Sequence, residues 1–119
     1  MNVAAPDRRI LIVEDEMQLA MMLDDLLTEA GYRVLKAARL AKALELVRTE
    51  PIDGAILDIN LAGNQVFPVA DALRRRGIPF IFTSGYGTDG LPTDYQDWPM
   101  LQKPYGVDAL HRALERLLH

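Results

Sequence analysis

Short apolar runs alternate with stretches of helical periodicity along this chain. Residues 10–13 form the first run, which is too short for a helix and rich in β-branched side chains. The stretch after it carries apolar residues at helical spacing until Gly31, which ends the predicted helix. The whole pattern predicts strands over residues 10–13, 33–38, 54–58, 78–83 and 100–102, and helices over residues 19–30, 40–49, 66–76 and 107–118.

Residues 84–99 interrupt this alternation. Glycine and proline are the poorest residues for a helix interior, and this stretch is rich in both. They are Gly85, Gly87, Gly90, Pro92 and Pro99. We therefore expect a short or mobile fourth helix between the fourth and fifth strands.

Five strand-and-helix units in succession predict an α/β fold. Parallel neighbouring strands need crossover connections, so the expected architecture is an open five-stranded parallel sheet with helices on both faces. The apolar run at residues 54–58 suits a central strand that is buried on both faces. In such sheets, functional sites form beyond the carboxyl ends of the strands.

Charged and hydroxyl side chains stand at that edge of the predicted sheet. Glu14 and Asp15 follow the first strand, Asp58 ends the third, Thr83 ends the fourth and Lys103 follows the fifth. Three carboxylates and one ammonium in a single crevice are the charge pattern of a phosphoryl site assisted by a divalent metal. Lys103 would neutralise one phosphoryl oxygen, and the hydroxyl of Thr83 would donate to another.

The acidic residues of this group suit a hard cation. Mg²⁺ prefers carboxylate, carbonyl and water oxygens, and Mn²⁺ is a possible substitute. Asp15 and Asp58 are suitable direct ligands, and Glu14 would act through a bound water. The backbone carbonyl of Asn60 would complete the ligands that the protein provides.

Each of these residues also has a purely structural explanation. Glu14 and Asp15 would suit the dipole at the start of a helix, Asp58 would suit a turn, and Lys103 an exposed loop. Taken singly, these explanations are as good as a functional one or better. The joint placement at four strand ends favours a site, because independent surface residues have no reason to share one edge.

Composition limits the remaining possibilities. The chain has 119 residues, of which half are hydrophobic and a quarter charged, which is typical of one globular domain. It contains no cysteine, and its net charge of −4 argues against nonspecific binding to nucleic acid. No apolar run is long enough for a signal peptide or a membrane span. We expect a cytoplasmic protein that binds neither nucleic acid nor membrane.

Four motifs together resemble the receiver domain of two-component response regulators. They are residues 11–16, 57–61, 83–86 and 103–105, and the resemblance covers essentially the whole chain. It implies a flavodoxin-like (βα)₅ receiver fold. It further implies the following roles: Asp58 as phosphoacceptor, Glu14 and Asp15 as the acidic pair, Thr83 as switch hydroxyl, Lys103 as phosphoryl contact and a cis peptide before Pro104.

The resemblance also implies a reaction and its partners. A histidine kinase or a histidine phosphotransferase would donate the phosphoryl group, and slow hydrolysis of the acyl phosphate would follow, with no metabolic enzyme activity. Receivers generally meet a helical histidine donor through the first helix, where this chain has Met17, Leu19, Met21 and Met22. Because a helix buries one face, we expect most of these four in the core. The protein is expected to be a monomer or a weak dimer.

A narrower resemblance concerns the signalling switch. Residues 79–87 are similar to those of the "FAT GUY" receivers, which occur alone or attached to hybrid histidine kinases. Typical receivers carry an aromatic residue three positions before the lysine, and Met100 occupies that position here. We expect signalling to reorder residues 84–99 instead, with Ser84 and Tyr86 near the site. Tyr86 and Tyr105 are alternatively plain packing residues.

Several readings of the biological role stay open. We expect no output domain, and a stand-alone regulator, shuttle or sink for phosphate is favoured over a receiver excised from a hybrid kinase. A phosphatase with an aspartyl-phosphate intermediate is disfavoured, because Asn60 stands where a proton-transferring acid is wanted. A phosphorylation-independent interaction module is disfavoured because every acceptor-site residue is present.

Overall fold

Five short strands form one parallel sheet in the computed structural model, which describes residues 8–61, 63–85 and 91–118. In chain order, the strands of these residues are β1 (Arg9–Val13), β2 (Arg33–Ala37), β3 (Gly54–Asp58), β4 (Asn60–Leu61), β5 (Asn64–Gln65), β6 (Phe80–Ser84) and β7 (Met100–Gln102). The large sheet has the order β2-β1-β3-β6-β7, with every pair parallel, so β3 is its central strand. β4 and β5 form a separate antiparallel pair.

The helices cover both faces of the sheet. They are α1 (Met17–Glu29), α2 (Leu40–Thr49), α3 (Phe67–Arg75) and α4 (Val107–Leu118). Side chains alternate along β1, so Leu11 and Val13 pack with α2 and α3, whereas Ile10 and Ile12 pack with α1 and α4. The predicted α/β architecture is therefore confirmed. None of the helices in the described ranges is both long and apolar enough to cross a membrane.

Glycine and proline set the helix boundaries where the sequence places them. Gly31 adopts a φ of +99°, and the N–H of Tyr32 after it donates to the carbonyl of Leu27 at 3.0 Å, which closes the end of α1. Pro68 lies in the first turn of α3, where its missing N–H costs no helical hydrogen bond.

The fourth strand of the large sheet begins later than the sequence suggests. We predicted a strand from residue 78, but β6 begins at Phe80. The N–H of Ile78 instead donates to the carbonyl of Leu73 at 2.9 Å and completes the end of α3. Pro79 has no N–H to offer to a neighbouring strand. The apolar side chain of Ile78 is buried all the same, which explains why its pattern was read as strand.

The methionines of α1 correct a second expectation. Met17, Met21 and Met22 are 76%, 55% and 41% exposed, so most of the four α1 residues singled out in the sequence lie outside the core. Ala20, Leu23 and Leu27 form the buried face of α1 instead. The helix is apolar around much of its circumference, and the residues that face the sheet are the ones at helical spacing from Leu23.

An aromatic cluster packs around residues 91–99, the described part of the connection between β6 and β7, which we call the fourth crossover. Residues 91–99 contain a 3₁₀ turn, Thr93–Tyr95, and no α-helix, in agreement with the expected short element. The buried ring of Tyr95 contacts four other aromatic rings, and its hydroxyl donates to Asp71 at 2.6 Å. The indole N–H of Trp98 donates to the carbonyl of Phe80 at 3.0 Å. The guanidinium of Arg74 covers the Tyr95 and Trp98 rings at 5.3 and 5.1 Å.

Candidate functional site

Sheet register brings Asp58 and Thr83 together. Asp58 ends β3 and lies directly opposite Thr83 of β6, and both side chains are buried. The ladder continues one residue further, because the N–H of Ile59 donates to the carbonyl of Thr83 at 3.0 Å. A carboxylate and a hydroxyl thus stand side by side at the carboxyl edge of the sheet.

Glu14 and Lys103 reach the same edge by backbone hydrogen bonds that extend the sheet. The N–H of Glu14 donates to the carbonyl of Ala37 at 3.0 Å, one residue beyond β1. The N–H of Lys103 donates to the carbonyl of Ser84 at 2.8 Å, one residue beyond β7. The peptide bond between Lys103 and Pro104 is cis, the isomer that the family resemblance implies.

Three carboxylates converge on one point of this edge. One oxygen each of Glu14, Asp15 and Asp58 lies within 4.8 Å of the others, with Glu14 and Asp58 buried and Asp15 exposed. The ammonium Nζ of Lys103 donates to Glu14 Oε1 at 3.0 Å and to Asp58 Oδ2 at 3.3 Å. An oxygen-only group of this kind suits a hard divalent cation, so the donor set fits Mg²⁺.

Burial and neighbouring charges shift the pKa values of Glu14 and Lys103. Burial raises the pKa of Glu14 to about 7; hydrogen bonds from the Glu16 N–H and from Lys103 oppose this shift, and the charge of Asp58 reinforces it. Burial also acts to lower the pKa of Lys103, but the hydrogen bond to Glu14 and the charge of Asp58 outweigh it and raise that pKa. Lys103 therefore stays protonated, and its ammonium interacts with the carboxylates of both Glu14 and Asp58.

The carboxylates line an open cleft of about 680 Å³. One wall of this cleft is the β4–β5 hairpin, which contributes Asn60, Gly63 and Gln65, and Ser84 and Gly85 form another part. The sequence pattern did not predict this hairpin, because strands of two residues show no periodicity. The positive φ of +87° at Gly63 is consistent with a tight turn there. Asn60 was predicted in the site; Gln65 was missed.

The family model for the response regulator receiver domain matches residues 10–115. This chain belongs to the response regulator receiver domain family. The matched range includes all three residues of the acidic cluster, Glu14, Asp15 and Asp58. The receiver fold also accounts for the parallel sheet with α-helices on both faces.

Three comparisons place this receiver among known proteins. The solution structure of SdrG from Sphingomonas melonis Fr1 is 42% identical, with a TM-score of 0.83, and the alignment covers 96% of this chain and 98% of SdrG. TrrA from Thermotoga maritima, crystallised in complex with Mg²⁺-BeF, is 26% identical with a TM-score of 0.82 and coverages of 93% and 99%. The transcriptional regulatory protein YrkP of Bacillus subtilis is 33% identical over 109 residues, or 87% of this chain and 46% of YrkP. The chain thus spans less than half of YrkP.

The residues predicted for the switch of this receiver lie in different places. Ser84 is buried and lines the cleft. Met100 begins β7 opposite Phe82 and lines a separate apolar groove of about 530 Å³ between β7 and α4. Tyr86 lies outside the described residues.

Proposed function

We propose that this receiver accepts a phosphoryl group on Asp58 from a phosphohistidine of a histidine kinase or a histidine phosphotransferase. The observation that supports this most strongly is the position of Asp58, whose buried carboxylate lies beside two further acids and 3.3 Å from the Lys103 ammonium. A carboxylate needs such a cation nearby to approach a negatively charged phosphoryl group.

Asp58, Lys103 and Thr83 have different roles in the proposed transfer. A carboxylate oxygen of Asp58 forms the new bond to phosphorus as the nitrogen–phosphorus bond of the donor histidine breaks, and the electron pair of that bond returns to the imidazole. Lys103 holds one phosphoryl oxygen as a point charge, and the hydroxyl of Thr83 donates to another. The product is an acyl phosphate, which water hydrolyses slowly to regenerate Asp58.

The acidic cluster is the proposed Mg²⁺ site. Asp15, Asp58 and the carbonyl of Asn60 would bind the ion directly and Glu14 through a water, and Mn²⁺ would suit the same oxygen ligands. When bound, the divalent ion neutralises charge on the carboxylate and the phosphoryl group. The Mg²⁺-BeF complex of the similar TrrA supports this assignment.

The exposed methionines of α1 are the proposed contact for the histidine donor. Met17, Met21 and Met22 lie on the helix that begins immediately after Asp15 and Glu16 of the site. Methionine side chains are flexible and apolar, so they adapt to an apolar partner surface. A helical donor lying on α1 would bring its histidine over the cleft.

We further propose that phosphorylation is reported through residues 84–99. The buried Ser84 links the cleft to this segment, and Met100 in β7 has no hydroxyl for the usual aromatic switch. Amide hydrogen exchange measured with and without Mg²⁺ and beryllofluoride tests this proposal. Exchange at residues 91–99 should change more than exchange in β3, and equal protection of 91–99 in both states would contradict it.

Intact-mass spectrometry after incubation with acetyl phosphate and Mg²⁺ tests the proposed function. Wild type should gain one phosphoryl group, and Asp58→Asn should gain none. Asp25→Asn is the matched control, since Asp25 is an exposed residue of α1 and its substitution should leave the adduct intact. The adduct should be labile in alkali, as expected for an acyl phosphate.

Two results would contradict the proposal. Rapid turnover of small phosphoesters without a lasting adduct would indicate a phosphatase. No adduct from acetyl phosphate or from a phosphohistidine donor, with the protein folded, would indicate a phosphorylation-independent module.

A further inference from the structure

Tyr105 carries a buried hydroxyl that the proposed reaction does not use. Its oxygen is inaccessible to solvent and has no hydrogen-bond partner within residues 8–61, 63–85 and 91–118. The ring packs against the core on the α1 and α4 side of the sheet, two residues after Lys103. Buried polar atoms are nearly always paired, so this hydroxyl points to a partner that it gains when the site changes.

The surroundings of this hydroxyl identify it as a donor. Burial, followed by the negative charges of Glu14, Asp58 and Glu16, raises the pKa of Tyr105 to about 12. The phenol therefore keeps its proton at neutral pH. Among the three carboxylates, Glu14 exerts the strongest charge effect on Tyr105. A buried, protonated phenol is a hydrogen-bond donor in want of an acceptor, and Glu14 is the candidate among these carboxylates because it is buried and interacts most strongly with Tyr105.

Both oxygens of Glu14 already have partners in the structure. Oε2 accepts from the backbone N–H of Glu16 at 3.0 Å, and Oε1 accepts from Lys103 Nζ at 3.0 Å. The first of these is a local backbone contact between residues two positions apart, and it does not involve the phosphoryl group. The second is lost if Lys103 turns to a phosphoryl oxygen. The buried Oε1 would then need another donor.

We propose that Tyr105 is a positioning residue whose phenolic O–H donates to Glu14 Oε1 once Lys103 has turned from Glu14 to the phosphoryl group on Asp58. This inference rests on the proposed function of Asp58 and adds a residue to it. Tyr105 makes no covalent bond and holds no proton that the transfer consumes. It keeps the Glu14 carboxylate oriented while the lysine is engaged elsewhere.

The substitution Tyr105→Phe removes the hydroxyl and retains the ring. Three measurements on the purified chain separate its effects: the melting temperature without Mg²⁺, the affinity for beryllofluoride at saturating Mg²⁺, and the ¹³C shift of the tyrosine Cζ on adding beryllofluoride. Tyr32→Phe is the matched control, because Tyr32 packs against the same side of the core.

The hydroxyl should matter in the activated state alone. Tyr105→Phe should melt at or above the wild-type temperature, since it removes an unpaired buried hydroxyl, and should bind beryllofluoride about threefold to tenfold more weakly. The Cζ shift of Tyr105 in the wild type should move on adding beryllofluoride. Tyr32→Phe should match the wild type in beryllofluoride affinity.

A double-mutant cycle ties the effect to Glu14. In a Glu14→Ala background no acceptor remains at this position, so adding Tyr105→Phe should change beryllofluoride affinity by less than twofold. The same loss in both backgrounds would contradict a bond between Tyr105 and Glu14.

Other results would also overturn this inference. Wild-type affinity in Tyr105→Phe would show that the hydroxyl has no role in the activated state, with the proposed function intact. A clear fall in its melting temperature without Mg²⁺ would show that the hydroxyl is already paired. If the wild type itself bound no beryllofluoride, the proposed function would fail, and this inference with it.

Discussion

The ammonium of Lys103 lies 3.0 Å from a carboxylate oxygen of Glu14, although 89 residues separate the two along the chain. The same ammonium reaches Asp58 at 3.3 Å, so one cation holds two buried acids at the carboxyl edge of the sheet. Glu14 is almost fully buried, and the side chain of Lys103 is 22% exposed. The Lys103 ammonium therefore partly offsets the negative charge of two buried carboxylates in the cleft.

Removal of this cation should destabilise the protein. Lys103→Gln leaves the Glu14 and Asp58 carboxylates facing each other, and we expect its free energy of unfolding at pH 8 without Mg²⁺ to fall by about 2 kcal/mol. Urea denaturation monitored by circular dichroism measures this change. Lys42→Gln is the control, because the Lys42–Glu45 pair is exposed and its loss should cost no more than about 0.5 kcal/mol. Equal stabilities of the two variants would contradict a role for Lys103 in holding the acids.

The raised pKa of Glu14 predicts a pH dependence. Its pKa rises from 4.5 to about 7 on folding, so between these values the folded chain binds more protons than the unfolded chain. The contribution of Glu14 to the free energy of unfolding must therefore fall as pH increases from about 4.5 to about 7, and it levels off above that range. Urea denaturation without Mg²⁺ over this range should show Glu14→Gln gaining stability relative to the wild type.

Mg²⁺ binding should have the opposite dependence on pH. A proton on Glu14 competes with the ion, so Mg²⁺ affinity should rise toward pH 7 and flatten above it, by up to about tenfold per pH unit. Glu14→Gln should bind Mg²⁺ more weakly but with a flatter pH profile. In the urea experiment without Mg²⁺, a stability difference between Glu14→Gln and the wild type that stays constant from pH 4.5 to 7 would contradict the raised pKa of Glu14.

The hydroxyl of Tyr95 should stabilise the fourth crossover. Tyr95→Phe removes the 2.6 Å hydrogen bond to Asp71 and retains the aromatic contacts, so we expect a loss of about 1 kcal/mol. Amide exchange should accelerate in residues 91–99, while phosphorylation of Asp58 by acetyl phosphate is unchanged. The contrast with Tyr105→Phe is informative, because that variant removes a hydroxyl without a partner in the described chain. Wild-type exchange in Tyr95→Phe would mean that packing alone holds the segment.

A substitution on the exposed face of α1 should affect phosphorylation by a protein donor and leave phosphorylation by a small-molecule donor unchanged. Met21→Glu places a charge on an exposed position, and we expect it to slow phosphotransfer from a histidine phosphotransferase by about tenfold or more. Phosphorylation by acetyl phosphate should keep its wild-type rate, because that donor needs no surface. Ala41→Glu on α2 is the control for an added charge at an exposed site on the other face. Equal slowing by both variants would remove α1 as the docking surface.

The sequence predicted the central part of this fold because burial on both faces leaves a strong signal. The predicted limits of the third strand agree with β3, which is buried along its whole length. Glu14, Asp15, Asp58 and Lys103 were expected at one edge from topology alone. That edge follows from the rule that parallel strands end together. Periodicity therefore brought together residues that lie up to 89 positions apart.

Other features depend on contacts that a linear pattern does not contain. The prediction that Met17 and Met21 lie in the core was wrong, because α1 is apolar on more than one side and periodicity does not show which side faces the sheet. The β4–β5 hairpin is too short for periodicity, so Gln65 was not placed in the cleft. Tyr105 was interpreted only as a motif residue or a packing residue, because an unpaired buried hydroxyl is visible only in the three-dimensional structure.

The most direct test of the central claim is to locate the phosphoryl group by residue. The protein is treated with acetyl phosphate and Mg²⁺, reduced with borohydride so that an acyl phosphate becomes an alcohol, and sequenced by tandem mass spectrometry. Homoserine should appear at position 58 and should be absent when Mg²⁺ is removed. Homoserine at Asp15 or elsewhere, or an unmodified Asp58 in folded protein, would contradict this account of the site.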